Sequence, residues 1–280
     1  MSSDAKNMNK TAGKYHAVRK RKTLVILILA VLLAVSMILA LGIGSVFIPP
    51  KDVILAIGSA LFPALISAPA GTADIVLNFR MPRILLAVLT GVALAAAGAV
   101  MQGLLRNPLV SPFTLGLSSA ASFGAALMIV LGPAVFGAFF AGSVAFLGFS
   151  FTAKSLLLIL SAFLFGWLSV VIVYLISRTR QTSQAVMILA GVVIGYLFQA
   201  GLLALKYVSN DDALREIVTW MMGGMWGATW QTVVILTPVV LLCFFFIERR
   251  AWDLNTLSSG DDVARNLGIN VSSDMVVVIV

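Results

Sequence analysis

Six stretches of this sequence run for 22 residues or more between one Asp, Glu, Lys or Arg and the next. They are residues 23–50, 84–105, 107–153, 155–177, 181–205 and 217–247. A helix rises about 1.5 Å per residue, so about 20 apolar residues cross a hydrocarbon layer about 30 Å thick. A chain that crosses repeatedly must satisfy its backbone hydrogen bonds within each segment, which helices do. Composition agrees: 60% of residues are apolar and 11% charged, against about 25% charged in a soluble domain. The sequence therefore predicts an all-α, polytopic membrane helix bundle with six complete spans. Met275–Val280 opens a further apolar run of six residues, read as the start of a seventh span in a chain truncated at its C-terminus.

The first span is placed at Leu24–Ile48, the second near Ile84–Leu105 and the third at Leu115–Leu131. Val53–Ser67 and Ala134–Phe149 are too short or too broken to span, and are expected to be interfacial or partly inserted elements on the outer side. Residues 1–22 hold seven basic side chains and one acid, a net +6 out of the total +8. A basic segment directly before a span fits a cytoplasmic topology signal better than a nucleic-acid site. It is read as a disordered tail with the N-terminus cytoplasmic, ahead of a membrane domain over residues 23–280. The apolar run after it far exceeds the 7–15 residues of a signal-peptide core, so it reads as an uncleaved span. An even span count then puts the loop 249–274 on the cytoplasmic side. His16 reads as a solvated tail residue. Cys243, alone, excludes an intrachain disulfide and reads as a thiol packed among helices.

No charged residue lies in the middle of a predicted span. Proton-coupled pumps place ionisable groups at that depth, and an intramembrane enzyme needs a nucleophile with its base or a carboxylate pair. Neither pattern is present, nor a phosphate-binding loop. No catalytic residue, cofactor or metal site is expected. The spans do carry small residues at helical spacing: Gly91, Ala95 and Gly98 lead to Gln102, and Gly191 and Gly195 lead to Gln199. These stripes suit close helix packing, with the amides bonding across the contact; the alternative is that Gln102 and Gln199 line a pathway.

Three constellations lie outside the spans. In Arg80-Met81-Pro82-Arg83, proline suits a helix start, and two arginines three apart share a face that offers donors to carboxylates or anchors the helix at the interface. In Leu105-Arg106-Asn107-Pro108-Leu109-Val110-Ser111-Pro112, two prolines four apart make a stiff connection between the second and third spans. In Leu254–Gly268, Ser259 with Asp262 fits a capping-box start and Gly268 a helix stop. The short helix so defined would show Val263, Ala264 and Leu267 as a small apolar face, suited to a groove on a partner or to ordinary connection.

In this order, with W-M-M-G-G between, these motifs resemble the FecCD-type permeases, membrane subunits of ATP-binding-cassette (ABC) importers for iron–siderophores, haem and cobalamin. The similarity runs from about Leu24 to the end. It implies a BtuC-like permease fold and a chain that is not itself an enzyme. It also implies two copies of an ABC ATPase subunit, an extracytoplasmic substrate-binding protein and a second permease subunit in a homo- or heterodimer. The location would be a bacterial or archaeal cytoplasmic membrane, and the substrate a metal chelate, ferric siderophore foremost. By motif, Arg80 and Arg83 would meet acids on the binding protein. Gly260, Asp261, Val263, Ala264, Arg265, Leu267 and Gly268 would form the coupling helix that docks in the ATPase. Asn107, Pro108 and Leu109, with Thr182 and Ser183, would sit at the cytoplasmic gate. An ion-coupled secondary transporter, which can bind Na⁺ through backbone carbonyls, is the rival reading.

Overall fold

The structure, a computed structural model, describes residues 2–69, 71–146, 148–179, 184–225 and 227–269. Among them are six helical segments long and apolar enough to cross a membrane: Val18–Gly42, Thr72–Leu105, Leu117–Ala141, Ala153–Ser177, Gln184–Val208 and Trp230–Arg249. Each overlaps a different one of the six charge-poor intervals. The chain divides into two compact units, residues 1–87 with 227–233, and residues 88–226 with 234–280.

In the first unit, helix α1 (Ser2–Gly42) is continuous through the basic segment. Lys, Ala and Met, which favour helix, recur through that segment. Helix α2 (Pro50–Leu61) follows, opened by a proline at its first position. Leu41, Ile48, Val53, Ala56 and Val76 form the core that holds α1, α2 and the next helical run together. The segment Val53–Ser67 is thus a short helix plus a turn, with Val53 and Ala56 buried.

That next run starts at Thr72, twelve residues before the expected span near Ile84–Leu105. It comprises α3 (Thr72–Asp74), a π-helical turn (Ile75–Arg80) and α4 (Met81–Leu105). Pro82 therefore lies inside helical structure, not at its start. A proline there lacks an N–H and clashes with the preceding turn; here that turn is widened, with the Met81 N–H reaching back five residues to the Val76 carbonyl. In this register the Leu77 carbonyl falls to Pro82, which cannot donate. The indole N–H of Trp230 donates to it instead, at 2.9 Å.

In the second unit, a 3₁₀ turn (Pro112–Leu115) leads into α5 (Leu117–Phe136). A second 3₁₀ turn (Gly137–Ala141) and a hairpin of β1 (Ser143–Phe146) and β2 (Phe149–Thr152) precede α6 (Ala153–Thr179). The segment Ala134–Phe149 therefore completes the third span and turns back as a hairpin. Helix α7 is Gln184–Val208. Phe123, Phe165 and Phe198, one from each of α5, α6 and α7, stack with centroids 5.2–6.2 Å apart. Two buried hydroxyls of α6 bond to its neighbours: Ser161 donates to the Gly124 carbonyl of α5 at 2.7 Å, and Ser169 to the Leu115 carbonyl of the 3₁₀ turn at 2.8 Å. Such bonds join helices where hydrophobic burial cannot distinguish protein from lipid.

Helix α8 (Asp211–Met222) is capped by Asn210, whose side chain accepts from the Ala213 N–H at 2.9 Å. It is held to α6 by the Lys154–Glu216 ion pair at 2.7 Å. Helix α9 (Trp230–Arg249) carries Cys243, which is exposed and not packed among helices as expected. Helices α10 (Ala251–Ser258) and α11 (Asp261–Asn266) complete the described fold. Met275–Val280 lies outside the described residues.

Candidate functional site

Arg80 and Arg83 border a cavity of about 430 Å³ with Gly44, Phe79 and the C-terminal turn of α1. The two arginines are not equivalent. Arg80 Nη1 donates to the Leu41 carbonyl at 2.7 Å, and Nη2 donates to the Val46 carbonyl. The first caps a carbonyl that the C-terminus of α1 leaves without a helical partner, and the second holds the bend that follows the helix. Gly44 leaves room for the guanidinium: a Cβ there would lie 2.6 Å from Arg80 Nη2. Arg83, one turn on, is exposed. Arg80 thus bonds carbonyls of its own chain, and Arg83 is the more exposed of the two.

The two glycine stripes part company. On α7, Gly191 lies against the Thr114 carbonyl and the Leu115 Cα, and a Cβ at Gly195 would lie 3.2 Å from the Gly116 Cα. These glycines admit the 3₁₀ turn that precedes α5. Gly116 itself has φ +75° and forms both the end of that turn and the start of α5. Beside this contact Thr114, Ser119, Tyr196 and Gln199 border an open cavity of about 320 Å³. Its polar lining carries no charge. On α4, a Cβ added to Gly91 or Gly98 would meet no described atom within 4 Å. Gln102, at the end of that stripe, turns to the loop and donates to the Pro108 carbonyl at 3.2 Å.

Helix α4 ends on Arg106, the one non-glycine residue with positive φ (+45°) among those described. The Asn107 N–H returns to the Gln102 carbonyl at 3.3 Å, which makes this a Schellman-type stop with Arg106 in the left-handed position usually held by glycine. The left-handed conformation costs a side-chain-bearing residue about 1–2 kcal/mol. The Asn107 side chain then accepts the Leu109 N–H at 3.0 Å. Leu109 projects, 86% exposed, while Val110 is buried. From α7, Gln184 donates to the Leu104 carbonyl at 3.3 Å. The end of α4 and the start of α7 are therefore joined. Thr182 and Ser183 lie outside the described residues.

The same α4 terminus holds the last two helices. Arg106 Nε donates to the Leu257 carbonyl at 3.0 Å. Leu104, Leu257 and Ala264 pack with Val100, and Ala264 is 0% exposed. Ala264 therefore does not belong to the presented face expected of α11; it anchors the helix, and its small side chain permits that approach. Val263 and Leu267 are the apolar residues left exposed, at 44% and 62%. The expected capping box is also absent. Gly260, with φ +134°, is the N-cap, while Ser259 ends α10 and bonds back to the Asn255 carbonyl. The stop is as expected: Gly268 has φ +81°, and the N–H groups of Gly268 and Ile269 return to the Arg265 and Ala264 carbonyls, closing a Schellman motif. Arg265 is exposed beside this face, and the Asp261 backbone opens the helix.

Residues 32–280 match the model of the FecCD transport family. Among curated proteins, the chain is 34% identical over 258 residues to a protein of Methanocaldococcus jannaschii assigned as an ABC transporter permease. That match covers 92% of this chain and 70% of the relative. It is 31% identical over 265 residues to the Fe(3+)-citrate import system permease protein YfmE of Bacillus subtilis, covering 95% and 70%. Against the hemin transport system permease protein HmuU of Yersinia pestis it is 35% identical over 232 residues, covering 78% and 64%. The chain thus spans about two thirds of the length of these relatives. The fold is similar, at a TM-score of 0.70 and 27% identity, to a solved inward-facing transporter assigned to the metal-chelate type of ABC transporters. That match covers 91% of this chain and 71% of the other.

Proposed function

Because the chain belongs to the FecCD transport family, we propose that it is the permease subunit of an ABC importer that admits a metal chelate, ferric siderophore foremost, into the cytoplasm. ATP is hydrolysed by a separate subunit present in two copies, and a second permease subunit completes the path. The chain lies in the cytoplasmic membrane of a bacterium or archaeon with its N-terminus and the α10–α11 segment inside.

The observation that carries this reading is α11. It is a six-residue helix closed at its C-terminus and anchored by a fully buried alanine, yet it shows Val263 and Leu267 outward. A short stiff element that keeps apolar side chains exposed suits insertion into a groove on a partner. The described spans carry no Asp, Glu, His, Lys or Arg at their centres, which fits energy delivered mechanically from outside the membrane. The uncharged polar wall of Thr114, Ser119, Tyr196 and Gln199 fits a passage that gives a bulky chelate hydrogen bonds without trapping it in an ion pair. Arg83 is the side chain that would meet a carboxylate of the binding protein. Iron is favoured because similar permeases are named for ferric citrate and siderophore systems.

The test is uptake in proteoliposomes holding this chain, its ATP-binding subunit and its binding protein. Radiolabelled ferric siderophore accumulates only with internal ATP and is indifferent to an imposed sodium or proton gradient. Accumulation driven by such a gradient without ATP would contradict the reading. Uptake of cobalamin or haem in place of iron chelates would retain the importer and change its cargo.

A further inference from the structure

Arg106 sits where a helix stop of this geometry takes glycine, and its side chain accounts for the choice. A glycine would adopt φ +45° without strain, but it would lose the Nε–H bond to the Leu257 carbonyl. That bond links two places 151 residues apart in sequence: the first residue after α4 and the last turn of α10. On the α10 side, the Leu257 carbonyl also accepts the Gly260 N–H at 3.2 Å, directly before α11. On the α4 side, Arg106 is followed by Asn107–Leu109, a loop with little slack. Gln102 holds the Pro108 carbonyl, and the Asn107 side chain holds the Leu109 N–H.

We propose that Arg106 is the positioning residue that transmits displacement of α11, through the Leu257 carbonyl, to the Asn107–Leu109 loop. The proposal rests on the permease reading above and adds to it the side chain through which α11 acts on the loop. The apolar contact of Leu104, Leu257 and Ala264 resists separation but is non-directional. The Arg106 bond is directional, and it acts at the residue directly before the loop. If Arg106 were only a helix stop, glycine would serve better.

The experiment places a cysteine at position 109 in a Cys243→Ser background and follows its maleimide labelling in the assembled transporter, with and without vanadate-trapped nucleotide. Arg106→Gly tests the bond at a residue that suits the turn. Arg106→Lys keeps the charge and the side-chain bulk but removes the Nε donor. In the parental protein the labelling rate changes on nucleotide trapping. In both variants we expect that nucleotide-dependent change to shrink roughly tenfold, while the ATPase subunit stays bound and ATP turnover persists. Thermal stability of Arg106→Gly should equal or exceed that of the parent. A full nucleotide response in Arg106→Gly and Arg106→Lys overturns the proposal alone. An absent response in the parental protein overturns the permease reading itself, and this proposal with it.

Discussion

The indole N–H of Trp230 donates to the carbonyl of Leu77 at 2.9 Å, and Pro82 is the reason that carbonyl needs a donor. The π turn at Ile75–Arg80 passes the Met81 N–H back to Val76, leaving Leu77 opposite a residue without an N–H. Trp230→Phe keeps most of the aromatic bulk and removes the donor. An unsatisfied carbonyl costs about 1–3 kcal/mol when buried, and Trp230 is partly exposed, so a loss near the lower end is expected in detergent unfolding. Pro82→Ala restores an N–H at position 82. The double variant Pro82→Ala with Trp230→Phe should therefore lose less than the two single losses added, by a coupling of about 0.5 kcal/mol or more.

Arg80 and Arg83 separate by readout. Arg80→Ala removes donors from the Leu41 and Val46 carbonyls and should lower stability by about 1–3 kcal/mol. Arg83→Glu places a like charge before the acids of a binding protein and should weaken its docking by about tenfold or more, with a smaller effect on unfolding. Binding-protein affinity by surface resonance and unfolding in detergent distinguish the two. Equal effects of both variants on both measurements would contradict this division.

The glycine stripes of α4 and α7 follow the same sequence pattern and predict opposite outcomes. Gly191→Ala drives a Cβ into the Thr114 carbonyl, a backbone atom that cannot rotate away, and should destabilise by about 1–3 kcal/mol. Gly98→Ala meets open space and should gain up to about 1 kcal/mol from helix propensity when the isolated chain is unfolded in detergent.

How far the sequence could be read depends on whether a feature is local. The spans were legible because a charge in a bilayer is costly, so charges mark the ends whatever the packing. The Gly268 stop was legible because its hydrogen bonds close within five residues. What escaped reading was set by partners distant in sequence. Pro82 reads as a helix start until the π turn before it is seen. Arg80 reads as an outward donor until the Leu41 carbonyl, 39 residues earlier, is placed beside it. Ala264 lies in a six-residue helix and Leu267 at its C-cap, and no periodicity in so short an element says which edge meets α4. Arg106 had no signal of its own, since its role requires a carbonyl 151 residues away.

On the permease reading, α11 docks an ATP-driven subunit through Val263 and Leu267 while Ala264 anchors it from behind. The most direct measurement is recovery of the ATP-binding subunit with affinity-tagged chain from membranes that co-express both. The wild-type chain should retain the subunit. Leu267→Asp, which places a charge in an apolar contact without touching the anchor, should lose it while remaining folded and membrane-inserted. Ala264→Arg should also lose it, but with a measurable drop in the chain's own stability, because it overfills a site with 0% exposure. Undiminished recovery with Leu267→Asp, or no recovery with the wild-type chain, would contradict the account.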